Sequence, residues 1–124
     1  MSVNDSIAAL AGLVDRAGFL AGDDIQGREP GLYVDEFLAD AVLRPTSTDE
    51  VSAILQHCNA HGLAVIPHGG MTGLVRGTQT GRGNVVLSLE RMNAIEQIDP
   101  VSRTAHVQAC LLYTSDAADD ASSV

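Results

Sequence analysis

A run of glycines is the feature of this sequence with the clearest chemical potential. Glycines stand at positions 69, 70, 73 and 77. Because glycine has no Cβ, successive backbone N–H groups of such a turn can converge closely on an anion. Thr72 can add a hydroxyl donor, and Arg76 a positive charge at the rim. The pattern predicts a cradle for a diphosphate, with a tight loop that binds nothing as the alternative.

Common phosphate-binding and hydrolytic motifs do not account for this turn. The chain contains neither Gly-x-x-x-x-Gly-Lys-Ser/Thr nor a Gly-x-Gly-x-x-Gly that opens a helix. His68-Gly69-Gly70 is similar to the oxyanion loop of lipases, but no Gly-x-Ser-x-Gly nucleophile elbow occurs in the chain. A P-loop, a Rossmann site and a hydrolase are therefore disfavoured.

Composition and charge narrow the class of protein. With 124 residues the chain has the size of one domain, and a net charge of −9 with only seven basic residues disfavours a nucleic-acid surface or an anionic membrane. The chain has no run of eighteen apolar residues, no signal-peptide pattern at its start and only two cysteines. We therefore predict a cytoplasmic protein without a membrane span.

Other polar clusters carry weaker signals. His57, Cys58 and His61 could place two imidazoles one helical turn apart, but no further ligand is spaced to complete a zinc site. His106 alternates with polar residues on the expected solvent face of a strand. We predict no metal site and assign no catalytic residue.

The elements that must position the glycine turn are predicted from periodicity. A helix is expected from residue 4 or 5 to Gly18, and a second helix from a capping box at Ser47 and Glu50 to a terminating Gly62. The apolar stripe of the second helix is predicted to be Val51, Ile54, Leu55 and Cys58. Strands are predicted at residues 41–44, 63–66, 84–89, 94–98 and 104–109, with residues 63–66 covered on both faces and Asp99 opening the last turn. The sum is an α+β fold, an α/β sandwich in which helices flank a small mixed sheet.

Several separate features occur in the order that one enzyme family shows. They are Arg44-Pro45, the capped helix, Pro-x-Gly-Gly-x-Thr-Gly-Leu at residues 67–74, Leu-x-Arg-Met-Asn at residues 89–93, and the Asp99 hairpin. The stretch 42–109 resembles the FAD-binding domain of the vanillyl-alcohol oxidase type, also called the PCMH type. Within it, the stretch is most similar to D-lactate and D-2-hydroxyglutarate dehydrogenases and to the FAD subunit of glycolate oxidase.

The resemblance implies an N-terminal part of such a domain, with the FAD diphosphate held by one segment and Arg91-Met92-Asn93 closing the sheet beside it. The implied cofactor-binding residues are Pro67, His68, Gly69, Gly70, Met71, Thr72, Gly73, Leu74 and Gly77. Relatives that tether flavin covalently often place His directly after the paired glycines; Met71 stands there, which implies a non-covalent FAD.

The implied parent enzyme moves a hydride from a small-molecule D-2-hydroxy acid, such as D-lactate, glycolate or D-2-hydroxyglutarate, to FAD. Two alternatives remain open at this point. One is a non-catalytic module that binds another anion or a nucleotide, and the other is a MurB-like reductase.

We divide the chain into residues 1–40, an N-terminal helix and connecting segment, residues 41–109, a partial FAD-binding domain, and residues 110–124, a non-native tail. Residues 110–119 read CLLYTSDAAD, which resembles the in-frame translation of a transposase adapter used in DNA sequencing. A polar native C-terminus is the alternative. The division predicts a fragment of a longer enzyme that is itself inactive.

Overall fold

The computed structural model describes residues 3–26, 28, 30, 36–71 and 76–110. Within these residues the regular elements are α1 (Val3–Ala9), β1 (Phe19–Ala21), β2 (Ala41–Leu43), α2 (Thr48–Ala60), β3 (Val65–His68), β4 (Val85–Ser88), β5 (Ile95–Asp99) and β6 (Thr104–Val107). Short 3₁₀ segments occupy Leu10–Leu13, Arg16–Gly18, Gly22–Ile25 and Arg76–Thr78. This mixture of helices and strands confirms the predicted α+β class.

A four-stranded mixed sheet organises the fold, with the strand order β1-β2-β4-β3. β1 pairs antiparallel with β2, whereas β4 pairs parallel with both β2 and β3. Since the three parallel strands run in one direction, their last residues, Leu43, His68 and Ser88, lie at the same end of the sheet. We call this end the carboxyl edge.

The second helix begins and ends as its sequence signals predict. The Ser47 hydroxyl accepts a hydrogen bond from the Glu50 N–H at 3.2 Å. The Glu50 carboxylate accepts from the N–H and the hydroxyl of Thr46, both at 2.8 Å, and so ties down the residue before the cap. Gly62 follows the helix with φ of 67°, a left-handed conformation that suits glycine.

Helix α2 packs on one face of the sheet, but its buried stripe is narrower than predicted. Ile54 and Cys58 are fully buried, whereas Leu55 is 44% exposed. Because neighbouring helix positions differ by about 100° around the axis, the residue after Ile54 turns away from the sheet. The core on this face comprises Ile7, Leu10, Ala41, Leu43, Ile54, Cys58, Leu63, Val85 and Leu87.

The opposite face of the sheet has a smaller core. Val42 and Val86 are completely buried there with Ala39, and Phe37 and Ile66 pack against them. Successive residues of β2 and β4 thus point to opposite faces, and both faces are covered. Apolar side chains on both sides are what keep these two central strands buried along their length.

The N-terminal helix is shorter than predicted. The chain is α-helical only to Ala9, continues as a 3₁₀ turn, and is extended by Val14, which has φ of −133° and ψ of 170°. Gly12 and Val14 are both weaker helix formers than alanine, so little favours continuation. A Cβ at Gly18 would lie 2.8 Å from the Val14 Cβ, so the glycine permits the close approach that leads into β1, a strand we did not predict.

Strand β3 begins two residues later than predicted, and its two faces are only partly covered, by Val65 packing on one core and Ile66 on the other. It lies at an edge of the sheet, and Val65 and Ile66 are only partly buried. Leu63 instead donates its N–H to the Cys58 carbonyl oxygen at 2.9 Å and so completes the end of α2. Pro67, which has no N–H to donate, is compatible with an edge strand.

The predicted hairpin is confirmed as a separate two-stranded sheet of β5 and β6. Asp99 organises its turn, because its Oδ1 accepts hydrogen bonds from the N–H groups of Val101 at 3.0 Å and Ser102 at 3.3 Å. The hairpin connects to the main sheet through Met92, which is buried and whose N–H donates to the Leu89 carbonyl oxygen at 2.9 Å.

Candidate functional site

The glycine turn begins where β3 ends, at the carboxyl edge. His68 is in register with Ser88 of β4, and the Leu89 N–H donates to the His68 carbonyl oxygen at 2.9 Å. The turn therefore starts beside the segment that follows β4. In open α/β sheets, ligands bind outside the carboxyl ends of the parallel strands, so the fold brings the turn to the position where a ligand is expected.

The first residues of the turn leave room for a ligand. Gly69 is exposed, and a Cβ built on it would meet no heavy atom of the described residues within 4 Å. Gly70 and Met71 are partly buried, and Met71 has φ of 62°. A left-handed residue within a turn redirects successive N–H groups toward one side, the geometry of anion-binding concavities. The described start of the turn therefore fits a ligand that approaches the backbone.

The other predicted site residues fall into two groups. Pro67 is exposed at the end of β3, and Gly77 is exposed in the 3₁₀ segment that returns from the turn. Thr72, Gly73 and Leu74 lie outside the described residues, as does the Arg76 side chain.

His68 holds the two ends of the turn together. Its side chain is only 2% exposed, and its ring Nε2 lies 2.9 Å from the carbonyl oxygen of Thr78. The Thr78 hydroxyl in turn donates to the Pro30 carbonyl oxygen at 3.0 Å. The Phe37 ring meets the imidazole edge-on, with centroids 5.9 Å apart. We call this arrangement of His68, Thr78, Pro30 and Phe37 the neck.

The imidazole of the neck is electrically neutral at neutral pH. Burial lowers the pKa of His68, and the nearby Arg28 charge lowers it further, whereas the Thr78 hydrogen bond and Glu90 act in the opposite direction. A carbonyl oxygen can only accept a hydrogen bond. The neutral ring therefore carries its proton on Nε2.

A charged cluster lies along the same edge, around Glu90. The Glu90 carboxylate accepts hydrogen bonds from the Arg28 guanidinium at 2.5 Å and from the Ser88 hydroxyl at 2.6 Å. The Arg44 guanidinium forms a longer ion pair with the same carboxylate at 3.6 Å. Burial acts to raise the pKa of Glu90, but the hydrogen bonds from Ser88 and Arg28 and the two positive charges lower it overall. The cluster places two arginines at the carboxyl edge while one carboxylate offsets part of their charge.

A second ion pair fastens the N-terminal segment to this edge. Arg91 donates two hydrogen bonds of 2.8 Å to the carboxylate of Asp15 and a third of 3.0 Å to the Arg44 carbonyl oxygen. The Arg91 hydrogen bonds hold the pKa of Asp15 below its usual value. Arg91 thus connects the segment after β4 to the segment after β2 and to the chain before β1.

The remaining polar candidates have structural contacts. His57 Nε2 lies 2.7 Å from the Ser6 carbonyl oxygen and ties α2 to α1, with the His61 ring beside it. Burial raises the pKa of the Cys58 thiol, which makes it less reactive. His106 is strongly exposed and lies 3.6 Å from Glu96.

The described part of the chain has neither a metal-binding cluster nor a membrane-spanning helix. It contains no group of three or more His, Cys, Asp or Glu side chains arranged to hold a metal ion. None of its helices has the length and apolar character needed to cross a membrane.

Comparison with protein families gives one match over most of the chain. A family model described as FAD binding domain matches residues 39–114. The sequence is 46% identical over 66 residues to the D-2-hydroxyglutarate–pyruvate transhydrogenase of Saccharomyces cerevisiae. This alignment covers 53% of this chain and 13% of the yeast protein. It is 45% identical over 69 residues to the D-2-hydroxyglutarate dehydrogenase of Xanthomonas citri. That alignment covers 56% of this chain and 15% of the dehydrogenase. It is 42% identical over 71 residues to the glycolate oxidase subunit GlcD of Bacillus subtilis. That alignment covers 57% of this chain and 15% of the subunit. The aligned residues therefore span only 13% to 15% of these relatives.

Solved structures agree on the fold. An alkyldihydroxyacetonephosphate synthase superimposes with a TM-score of 0.75 at 18% identity, covering 90% of this chain and 23% of that one. A p-cresol methylhydroxylase superimposes with a TM-score of 0.75 at 21% identity. The superposition covers 94% of this chain and 25% of the methylhydroxylase chain. These neighbours confirm the predicted fold.

Proposed function

The chain belongs to the FAD binding domain family, and on that premise we propose that its glycine turn holds the diphosphate of FAD. The observation that carries the proposal is the open space at Gly69, where the turn leaves the carboxyl edge of the sheet. Backbone N–H groups there would supply the hydrogen bonds that an acidic chain cannot supply from a basic surface. The proposed contacts are the predicted residues Pro67, His68, Gly69, Gly70, Met71, Thr72, Gly73, Leu74 and Gly77.

The proposed FAD is non-covalent, because Met71 has no side-chain nucleophile with which to form a stable bond to the flavin. His68 stands two residues earlier, but its ring is buried in the neck with Nε2 occupied by Thr78. We therefore assign His68 to the site through its backbone and through its effect on the turn.

We propose that the parent protein is an FAD-dependent oxidoreductase acting on a D-2-hydroxy acid. The names of the relatives support this class: they describe enzymes of D-2-hydroxyglutarate and of glycolate. When bound, FAD would accept the hydride from the carbinol carbon, while the hydroxyl proton leaves and the substrate becomes a 2-oxo acid. The contribution of this chain would be to bind and orient the cofactor, because no described residue is placed to act on a substrate.

Two further proposals concern the context of the chain. We propose a cytoplasmic location, supported by Cys58, a buried free thiol. We also propose that the native sequence departs from this chain after Ala109, supported by the adapter-like residues 110–119. Resequencing the source DNA across the Ala109 codon tests the second proposal, and a verified stop codon after Val124 would contradict it.

The test of FAD binding is a titration of the ¹⁵N-labelled chain followed by amide NMR shifts, because a partial site binds weakly and NMR detects weak binding. FAD and inorganic pyrophosphate should both shift amides at positions 69–71 and 77–78. Riboflavin, which has no phosphate, should leave those amides unchanged.

Two results would contradict the proposal. If riboflavin shifts the same amides as FAD, the turn does not recognise the diphosphate. If sulfate shifts these amides as much as pyrophosphate does, and FAD causes no larger shifts than either anion, the turn is a general anion-binding module instead.

A further inference from the structure

The neck joins the two ends of the turn. His68 and Thr78 lie on either side of residues 69–77, and their hydrogen bond of 2.9 Å joins a strand end to the 3₁₀ segment that returns from the turn. A buried histidine most often does no more than satisfy its own polar atoms within the core. This one connects the two ends of the segment that is proposed to bind diphosphate.

Both sides of the neck are themselves anchored. His68 ends a strand paired along its length with β4, and its carbonyl oxygen accepts from Leu89. On the other side, the Thr78 hydroxyl donates to Pro30, and two residues later the Thr80 hydroxyl accepts from the Leu38 N–H at 2.7 Å. The hydrogen bond between His68 and Thr78 therefore fixes the spacing between two rigid supports.

Fixing the ends of a loop lowers the entropy that is lost when a ligand orders it. We propose that His68 is a positioning residue which closes the neck with its Nε2–H and so holds Gly69–Met71 and Gly77 in place for diphosphate. Its role toward the diphosphate rests on the proposed function, whereas the closure of the neck is a property of the chain alone.

Three variants separate this role from general stability. His68→Leu removes the N–H donor, and His68→Gln retains an N–H donor that can reach a carbonyl oxygen. His57→Leu is the matched control, because it removes the same kind of bond, a ring nitrogen to the Ser6 carbonyl oxygen at 2.7 Å, between two helices.

The first measurement is amide hydrogen exchange without ligand, together with the melting temperature. His68→Leu should speed exchange of the described amides of the turn about 3- to 10-fold, the equivalent of one lost hydrogen bond, and His68→Gln should restore most of the protection. His57→Leu should lower the melting temperature and leave the turn amides unchanged. Unchanged turn exchange in His68→Leu, or equal acceleration in His57→Leu, would overturn the proposal.

A second measurement uses the wild-type chain and does not depend on a variant folding. Imidazole ¹⁵N shifts at neutral pH should show His68 as the neutral tautomer protonated at Nε2. A cation or the Nδ1–H tautomer would overturn the proposal.

The binding step is tested last, with inorganic pyrophosphate as the probe. His68→Leu should weaken its binding by up to the factor by which it speeds turn exchange, because affinity falls with the closed fraction of the turn. Wild-type affinity in that variant would overturn the preorganising role. If pyrophosphate and FAD fail to bind the wild-type chain, the proposed function fails, while the exchange and tautomer results still decide whether His68 closes the neck.

Discussion

Gly69→Val separates the binding role of the glycine turn from its role in folding. Among the residues that the structure describes, a Cβ at this position meets no heavy atom within 4 Å, and the glycine is outside the left-handed region that disfavours other residues. The free energy of unfolding should therefore change by no more than about 0.5 kcal/mol, as for substitutions that touch nothing. Any large loss of binding then reports on the space above the turn.

The expected loss of binding follows from the contact that the new side chain blocks. A hydrogen bond to a charged group contributes about 1.5–3 kcal/mol net. If the side chain prevents one backbone N–H from reaching the diphosphate, the dissociation constant should rise roughly 10- to 150-fold. The assay is pyrophosphate titration followed by NMR, with urea unfolding of the same samples.

Gly12→Val is the control, because a Cβ there also meets nothing within 4 Å and Gly12 lies in the N-terminal 3₁₀ segment. It should leave both binding and the turn amides unchanged. Wild-type pyrophosphate affinity in a folded Gly69→Val protein would refute the reasoning, as would an equal loss of affinity in Gly12→Val.

Three other predictions concern the supports of the site. Ile54→Ala should cost ~2–5 kcal/mol in urea unfolding, whereas Leu55→Ala, at a position 44% exposed, should cost well under half as much; similar losses would contradict the assigned core. Arg91→Met should lower the melting temperature. Part of this loss should persist in high salt, because salt screens the ion pair between Arg91 and Asp15 but not the hydrogen bond from Arg91 to the Arg44 carbonyl oxygen. Folding lowers the pKa values of Asp15 and Glu90, so the stability that these carboxylates contribute is fully present above their unfolded pKa values. It is lost as the pH falls through their lower folded pKa values. Asp15→Asn should flatten the lower part of that profile, and an unchanged profile would argue against the ion pair.

Local signals in the sequence predicted the elements that depend on a few adjacent residues. The Ser47 cap and the Asp99 turn each satisfy backbone groups within three residues, and Gly62 ends the helix through its own left-handed backbone. All three features are present in the structure. The order of strand, glycine turn and strand was predicted for the same reason. These are short-range effects that do not need knowledge of the sheet.

Long-range partners escaped prediction. Arg28 lies in residues 1–40, which the sequence divides into a helix and a connecting segment, yet its partner Glu90 is 62 positions away. The Arg91 contact with Asp15 spans 76 positions. The exposure of Leu55 likewise depends on how α2 rotates against the sheet. The role of His68 required its return partner Thr78, and no spacing rule connects a strand-end histidine to a carbonyl oxygen ten residues later.

The strand order has a consequence for how the chain is made. β4 is the last of the three parallel strands to be synthesised, but it occupies the centre, between β2 and β3. On a ribosome, the glycine turn emerges while β3 still lacks β4, its neighbour in the described sheet, and the carboxyl edge does not yet exist. The site can therefore assemble only after residues 85–88 have left the exit tunnel, which makes the passage of β4 the event that commits the nascent chain to a structured site.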